Sequence, residues 1–322
     1  MINISSACVI GGAGFLGSHV VHKLVAQGVD VSVMDDLSIG KLAWLPNKCK
    51  LHSVDISHPE VSIAYLAKRF DRVDCVFNYA AKPFIPDSFQ NPIDFVNTNT
   101  VGAFKVLEAC RLAGVKRFLQ VSSAEVYGNS ISFSSSVRKL NELSPLAPPS
   151  TYASTKTAID SLCVAGFLER DIPVIILRQF NCVGERETHP YVIPEIIQQL
   201  HKSNEIYLGA NTARDFLYAG DAADMAIELI AMGEPGEVYN MGSQSSIQIY
   251  DLARLIGSIM RPNEEIEIVT DSTRFRPCDI LHLCSDNSKL FSTITTRPKV
   301  TLTAALEKTI RYFQEQGNTW GW

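Results

Sequence analysis

What this sequence lacks sets the first limits. Its eight cysteines, at 8, 49, 75, 110, 163, 182, 278 and 284, include no Cys-x-x-Cys pair. That excludes a zinc knuckle and a disulfide framework and leaves buried thiols in a reducing compartment. There is no basic surplus, since 29 lysines and arginines stand against 34 aspartates and glutamates, for a net charge of -5. The electrostatic footprint of a nucleic-acid binder is therefore missing. No apolar run approaches a membrane span, and no positive charge precedes the first apolar segment as it would in a secretory signal. A Gly-x-Ser-x-Gly elbow is absent, which disfavours a serine hydrolase, and no internal repeat is found. His19 and His22 share the first helix without a third ligand, so no metal is expected. The expectation is a cytoplasmic protein with no nucleic-acid and no membrane partner.

What is present is a chain of 322 residues, 46% of them hydrophobic, ample for more than one ordinary core. Short apolar runs at 7–10, 31–34, 75–77, 118–121 and 174–177 alternate with amphipathic stretches such as 18–26 and 95–113. Strands buried on both faces read as continuous apolar runs, so this rhythm predicts a doubly wound parallel α/β sheet between helices. After Asn181 the pattern changes, with helices expected at 193–201 and 249–259. A helix at 221–232 and a strand at 237–241 return to the sheet. The boundaries expected are 1–180 with 213–246 for the large domain and 181–212 with 247–322 for a smaller, discontinuous one. The serine-rich stretch 130–136 reads as a mobile loop.

Gly11-Gly12-Ala13-Gly14-Phe15-Leu16-Gly17 follows the first apolar run and opens a helix. Glycines there permit a tight turn and close approach to a pyrophosphate, which sits against the free amides of the helix start. No lysine follows as in a Walker loop. Asp35 ends the second run 18 residues after Gly17, near the distance at which dinucleotide folds aim a carboxylate at the adenosine ribose. A carboxylate repels a 2′-phosphate, so NAD is favoured over NADP. Asp36 adjoins it, and Asp55 follows a further short run, where it faces either the adenine or solvent.

Tyr152 and Lys156 stand four residues apart, on one face of a helix begun at Pro148-Pro149-Ser150. Ser122-Ser123-Ala124-Glu125 follows the fourth apolar run directly, at a strand end that opens on the cofactor crevice. A nearby ammonium and a cationic nicotinamide both favour phenolate, bringing the tyrosine towards working pH as a base. Strand alternation would put Ser123 and Glu125 on one face.

Taken together these residues resemble the extended short-chain dehydrogenase/reductase family, the NAD-dependent nucleotide-sugar epimerases and dehydratases. The resemblance runs over the whole chain. It rests on the glycine turn, Asp35, Asp55-Ile56, Asn78-Tyr79-Ala80-Ala81, Asn99 with Gly102, Ser122 to Gly128, Tyr152/Lys156, Arg178-Gln179-Phe180-Asn181, Arg214-Asp215-Phe216 and Arg276-Pro277. It implies a Rossmann sheet with a smaller discontinuous C-terminal substrate domain, and a homodimer. It also implies cofactor contacts from Gly11, Gly14, Phe15, Leu16, Gly17, Asp35, Asp36, Asp55, Ile56, Ala80, Ala81, Asn99, Tyr152 and Lys156. By the same likeness Ser123 polarises the reacting hydroxyl, Tyr152 is the base and Lys156 holds the nicotinamide ribose. Lys82, Ser123, Asn181, Arg214 and Arg276 then meet a nucleotide-diphosphate sugar, guanidinium forks being suited to phosphate.

The sequence departs from the family pattern at Asn78, Ala103, Cys182 and Glu185. Transient oxidation at sugar carbon 4 is common to the group. Glu125 supplies a base for carbon 5 and points to a 4,6-dehydratase. Ala124 lacks the acid found at that place in TDP-glucose dehydratases, whereas GDP-mannose dehydratases manage with the glutamate alone. A 4-epimerase is the alternative, and a UDP-glucuronate decarboxylase ranks third because Asp215 replaces its usual serine. An NAD-binding sensor or scaffold is a non-enzyme alternative, disfavoured because Tyr152 and Lys156 are both kept.

Overall fold

The computed structural model describes residues 2–129 and 139–316. The serine-rich stretch 130–136 lies outside the described residues. Strands β1 (Ser6–Ile10), β2 (Asp30–Asp35), β3 (Lys50–Ser53), β4 (Cys75–Asn78), β5 (Arg117–Ser123) and β6 (Val174–Gln179) come in the first half. Then follow β7 (Asn181–Val183), β8 (Glu205–Leu208), β9 (Ala213–Tyr218), β10 (Val238–Met241), β11 (Ser246–Gln248) and β12 (Glu267–Thr270).

Seven strands form one parallel sheet in the order β10-β6-β5-β4-β1-β2-β3. The chain runs outward from β1 through β2 and β3, then reverses to β4 on the other side of β1. That reversal opens a crevice at the carboxyl ends of β1 and β4, where such sheets bind ligands. All residues of β4 and of β6 are buried, which is why residues 75–77 and 174–177 read as apolar runs, while Asn78, Arg178 and Gln179 are buried polar ends. Helices Phe15–Ala26 and Ala219–Met232 cover one face through Val20, Leu24, Met225 and Leu229. Helices Ala103–Ala113 and Thr151–Arg170 cover the other through Val106, Leu107, Ile159 and Cys163. Helix Ala219–Met232 and β10 make the return to the sheet that the sequence predicts.

Beyond β6 a second core gathers helices Val192–Lys202, Ile249–Met260 and Leu302–Glu315. They pack with the parallel pair β8–β12, while β9 pairs with β7 and β11 in a small sheet of its own. The helix expected at 95–113 is broken by a π-helical stretch, Val96–Gly102, between Pro92–Phe95 and Ala103–Ala113. No helix among the described residues is long and apolar enough to cross a membrane.

One buried polar network ties the site's supports together. Arg178 on β6 donates from Nε to Asp160 on the helix Thr151–Arg170 at 3.0 Å, the pair being 6% and 4% exposed. Its Nη1 donates to the Tyr127 hydroxyl at 3.0 Å, and that hydroxyl donates to Asn240 Oδ1 on β10 at 2.7 Å. Each of these four buried side chains is held by the next, and linked polar groups of this kind stiffen a core.

Candidate active site

One cavity of about 460 Å³ opens over the crevice and continues beneath the smaller core. One end is floored by the glycine turn. Gly11 is left-handed, with φ +72°, and a Cβ there would lie 2.6 Å from the Ala80 nitrogen. A Cβ on Gly17 would run into the Gly11 carbonyl oxygen. The helix Phe15–Ala26 starts at Gly14 with no side-chain cap and no acidic residue in its first turn, so its amides and positive dipole end are open to an anion.

Asp35, at the end of β2, accepts from the Ala13 amide at 2.9 Å and from the Leu37 amide at 2.8 Å. Burial raises its carboxyl above the ordinary aspartate value, and those two amides oppose the rise. Asp36 and Asp55 each close an Asx turn, accepting from the amide and hydroxyl of Ser38 and Ser57 respectively. Phe15, Leu16, Ile56, Ala80 and Ala81 line the same space. A cradle that any Cβ would fill, a bare helix start and a carboxylate beside it fit a dinucleotide.

Asn99, expected as a cofactor contact, is not among the residues that line the cavity. Its side chain is buried outside the cavity, accepting from the Lys82 amide at 2.7 Å and donating to the Lys82 carbonyl at 3.0 Å and to Thr155 Oγ1 at 3.2 Å. It therefore fixes the Lys82 backbone against the helix of Tyr152 and Lys156. Its position in the π-helical stretch turns it inward to do so.

The residues expected at the reacting centre gather where β5 ends. Ser123, Glu125, Tyr152 and Lys156 all line the cavity. Glu125 is not on an extended segment as strand alternation would require. Residues Ala124–Tyr127 form a 3₁₀ turn, and Ser123 caps it by accepting from the Glu125 amide at 3.2 Å. The Ser123 hydroxyl thus holds the backbone of Glu125, and both side chains line the cavity. Lys156 Nζ donates to the Val121 carbonyl at 3.0 Å and lies 6.0 Å from the Tyr152 ring centre.

Burial lowers the Lys156 ammonium to about 8, with Asp160 opposing. It raises the Tyr152 phenol to about 12; a hydrogen bond with Ser123 lowers it, and Glu125 raises it further. In the protein alone burial outweighs these neighbours; the drop argued from sequence also requires the cationic nicotinamide. Burial also raises Glu125, against the guanidinium groups of Arg214 and Arg276, while Asp279 reinforces the rise.

At the other end Arg214 is buried on β9 and donates from Nη1 to the carbonyls of Ala213 at 2.9 Å and Ile280 at 2.8 Å. Arg276 is exposed at the rim, and Asn181 and Lys82 line the wall. Of the departures, Asn78 donates to Gln120 at 2.9 Å under the floor, Glu185 is held by the Tyr218 hydroxyl, and Cys182 reaches the cavity. His19 shares a hydrogen bond with the Glu185 carbonyl, and burial holds its imidazole down to about 3, hence neutral. Among the described residues no cluster of His, Cys, Asp and Glu is arranged to hold a metal.

Sequence reasoning missed Glu187 and Tyr191, which line the cavity from the loop after β7, and the rim pair Arg274–Glu195. It also missed Phe84, stacked on His189 at 5.2 Å and edge-on to Tyr191. This loop has no periodicity, so the only signal was its departure from family pattern at Glu185.

A profile described as the NAD dependent epimerase/dehydratase family matches residues 7–242. The chain is 29% identical over 323 residues to a dTDP-D-glucose 4,6-dehydratase of Mus musculus, covering 97% of this chain and 89% of that protein. Among solved structures it is similar to the UDP-glucose 4-epimerase of Thermus thermophilus in complex with NAD. That TM-score is 0.86 at 25% identity, with 98% of this chain and 100% of that chain covered. A dTDP-glucose 4,6-dehydratase of Streptomyces venezuelae, solved with NAD bound, gives 0.86 at 27% identity over 96% and 97% of the two chains.

Proposed function

The chain belongs to the NAD-dependent epimerase/dehydratase family, and from that premise we propose that it is a 4,6-dehydratase of a nucleoside-diphosphate hexose. NAD is its cofactor and, when bound, takes hydride from sugar carbon 4 and returns it later in the cycle. Gly11, Gly14 and Gly17 with the start of the helix Phe15–Ala26 hold the pyrophosphate, Asp35 meets the adenosine ribose, and Lys156 meets the nicotinamide ribose. Arg214 and Arg276 bind the substrate diphosphate, with Asn181 and Lys82 beside them.

Tyr152 removes the proton of the carbon 4 hydroxyl, which Ser123 orients. With its phenol raised by burial, Tyr152 acts as a base only once positive charge enters the cavity beside it, so oxidation is confined to the loaded site. Glu125 then takes the carbon 5 proton, acidified by the adjacent ketone, as the carbon 6 hydroxyl is lost as water. The observation that carries this reading is the Glu125 carboxylate, hung from the Ser123 cap in one cavity with Tyr152 and Arg214. Its curated dehydratase relatives support the same choice.

A 4-epimerase is the second reading, favoured by Ala124 and by the epimerase structures of the same fold. Mass spectrometry after incubation with UDP-, GDP-, TDP- and CDP-hexoses separates them. Loss of one water marks the dehydratase; unchanged mass with a new isomer marks the epimerase. We propose further a homodimer through the helices at 92–113 and Thr151–Arg170, supported by exposed Ile93, Leu112 and Leu168, for which a monomer by light scattering is the refuting result. The eight free thiols support a cytoplasmic setting.

A further inference from the structure

Elimination at carbon 6 calls for an acid as well as a base, because hydroxide is a poor leaving group. Ala124 leaves Glu125 as the one carboxyl of the turn after β5. The loop between β7 and the helix Val192–Lys202 supplies a second from another wall. Glu187 is 5% exposed, lines the same cavity as Glu125 and Tyr152, and its Oε2 has no hydrogen-bond partner among the described residues. A charge on Glu187 would raise both Cys182 in β7 and Tyr191, and all three residues line this cavity.

A buried carboxyl with neither a cation nor a donor is expensive as an anion. Burial alone pushes this one well above the ordinary glutamate range, the direction that favours a neutral acid with an O–H to give. Burial raises Glu125 too, but there two guanidinium groups counter the rise. Two carboxyls in one cavity whose surroundings separate their protonation states make an acid and base pair.

We propose that Glu187 is the general acid for the carbon 6 hydroxyl, an inference that rests on the dehydratase reading. In the step, Glu125 accepts the carbon 5 proton and the C5–H electron pair becomes the second bond between carbons 5 and 6. The C6–O pair leaves with oxygen, which takes the Glu187 proton and departs as water. Glu125 ends protonated, exchanges that proton with solvent, and gives a proton to carbon 5 as the hydride first taken from carbon 4 is returned at carbon 6. Glu187 ends as a carboxylate and is reprotonated from solvent.

The test compares the holoenzyme with Glu187→Gln on dTDP-glucose and UDP-glucose, and on the 6-deoxy-6-fluoro analogue of whichever is dehydrated. Fluoride leaves without a proton. Loss of water should fall roughly 10²- to 10⁴-fold, loss of fluoride should stay close to the wild-type rate, and solvent deuterium should still enter carbon 5. In infrared difference spectra the neutral carboxyl band of the wild type at pH 7 should vanish in the variant. Equal slowing of both leaving groups, unchanged loss of water, or no neutral carboxyl band would each overturn the assignment. If Glu187→Gln does not fold, Glu187→Asp takes its place: it keeps the acid but shortens its reach, so it should slow water loss more than fluoride loss. A wild type that turns both sugars into isomers of unchanged mass ends the dehydratase reading itself, before any variant is made.

Discussion

Asp35 offers a perturbation whose size can be worked from the contacts around it. A carboxylate has about four lone-pair sites, and two are used by the Ala13 and Leu37 amides. The rest can accept ribose hydroxyls. Asp35→Asn keeps the shape but turns one oxygen into a donor, which then faces an N–H in a site only 7% exposed. One hydrogen bond to a charged acceptor is worth about 1.5–3 kcal/mol, so NAD should bind roughly 10- to 150-fold more weakly. Removing the charge should also narrow the preference for NAD over NADP. Titration calorimetry of cofactor-stripped protein with each dinucleotide gives both numbers, and thermal unfolding without cofactor separates damage to the turn from damage to the ribose contact. If the wild type prefers NADP, or if the variant loses thermal stability with no change in NAD affinity, Asp35 is a brace for the glycine turn and the selection argument fails.

Two further outcomes follow from the site and its supports. Glu125→Gln should cut water loss roughly 10²- to 10⁴-fold while oxidation at carbon 4 survives, seen as near-ultraviolet absorbance on mixing with substrate; Tyr152→Phe should abolish that signal. Because burial raises Glu125 and the base must be ionised, wild-type elimination should fall as pH drops through a value above the ordinary glutamate range, and full turnover by the variant with a carbon 4 isomer as product would transfer the assignment to an epimerase. Arg178→Met strands Asp160, and breaking a buried pair from one side costs about 3–5 kcal/mol. Asp160 is already raised by burial and binds its proton more readily folded than unfolded, so the deficit should shrink as pH falls towards about 4; a urea midpoint unchanged at pH 7 would refute this.

The parts of this protein legible in its sequence are those encoded by neighbours along the chain. The apolar runs of β1, β4, β5 and β6 name their own burial, and the glycine turn with Asp35 spans one strand–helix–strand unit. Tyr152 and Lys156 need only helical spacing. What escaped depends on separate segments meeting. Asn99 reads as a cofactor contact until the π-helical stretch turns its amide onto Lys82 and Thr155. Ser123 and Glu125 share a face by strand periodicity, yet they share the cavity because one caps a turn carrying the other. The bond network from Asp160 through Arg178 and Tyr127 to Asn240 joins residues as much as 113 positions apart. Nothing local announces it. Glu187 belongs to a loop without periodicity, and nothing along the chain marks it as buried.

The cap at Ser123 divides the site into parts of different evolvability. One hydroxyl serves both the Tyr152 phenol and the Glu125 amide, so drift at position 123 disturbs the oxidising pair and the turn at once. Positions 124, 125 and 187 hang beyond that point, on a four-residue turn and an irregular loop. Exchanges there can redirect the ketone without disturbing how it is made. On such an architecture a new outcome for the same sugar is a few substitutions away, and lineages should switch between removing water and inverting a hydroxyl more readily than they abandon the oxidation both require.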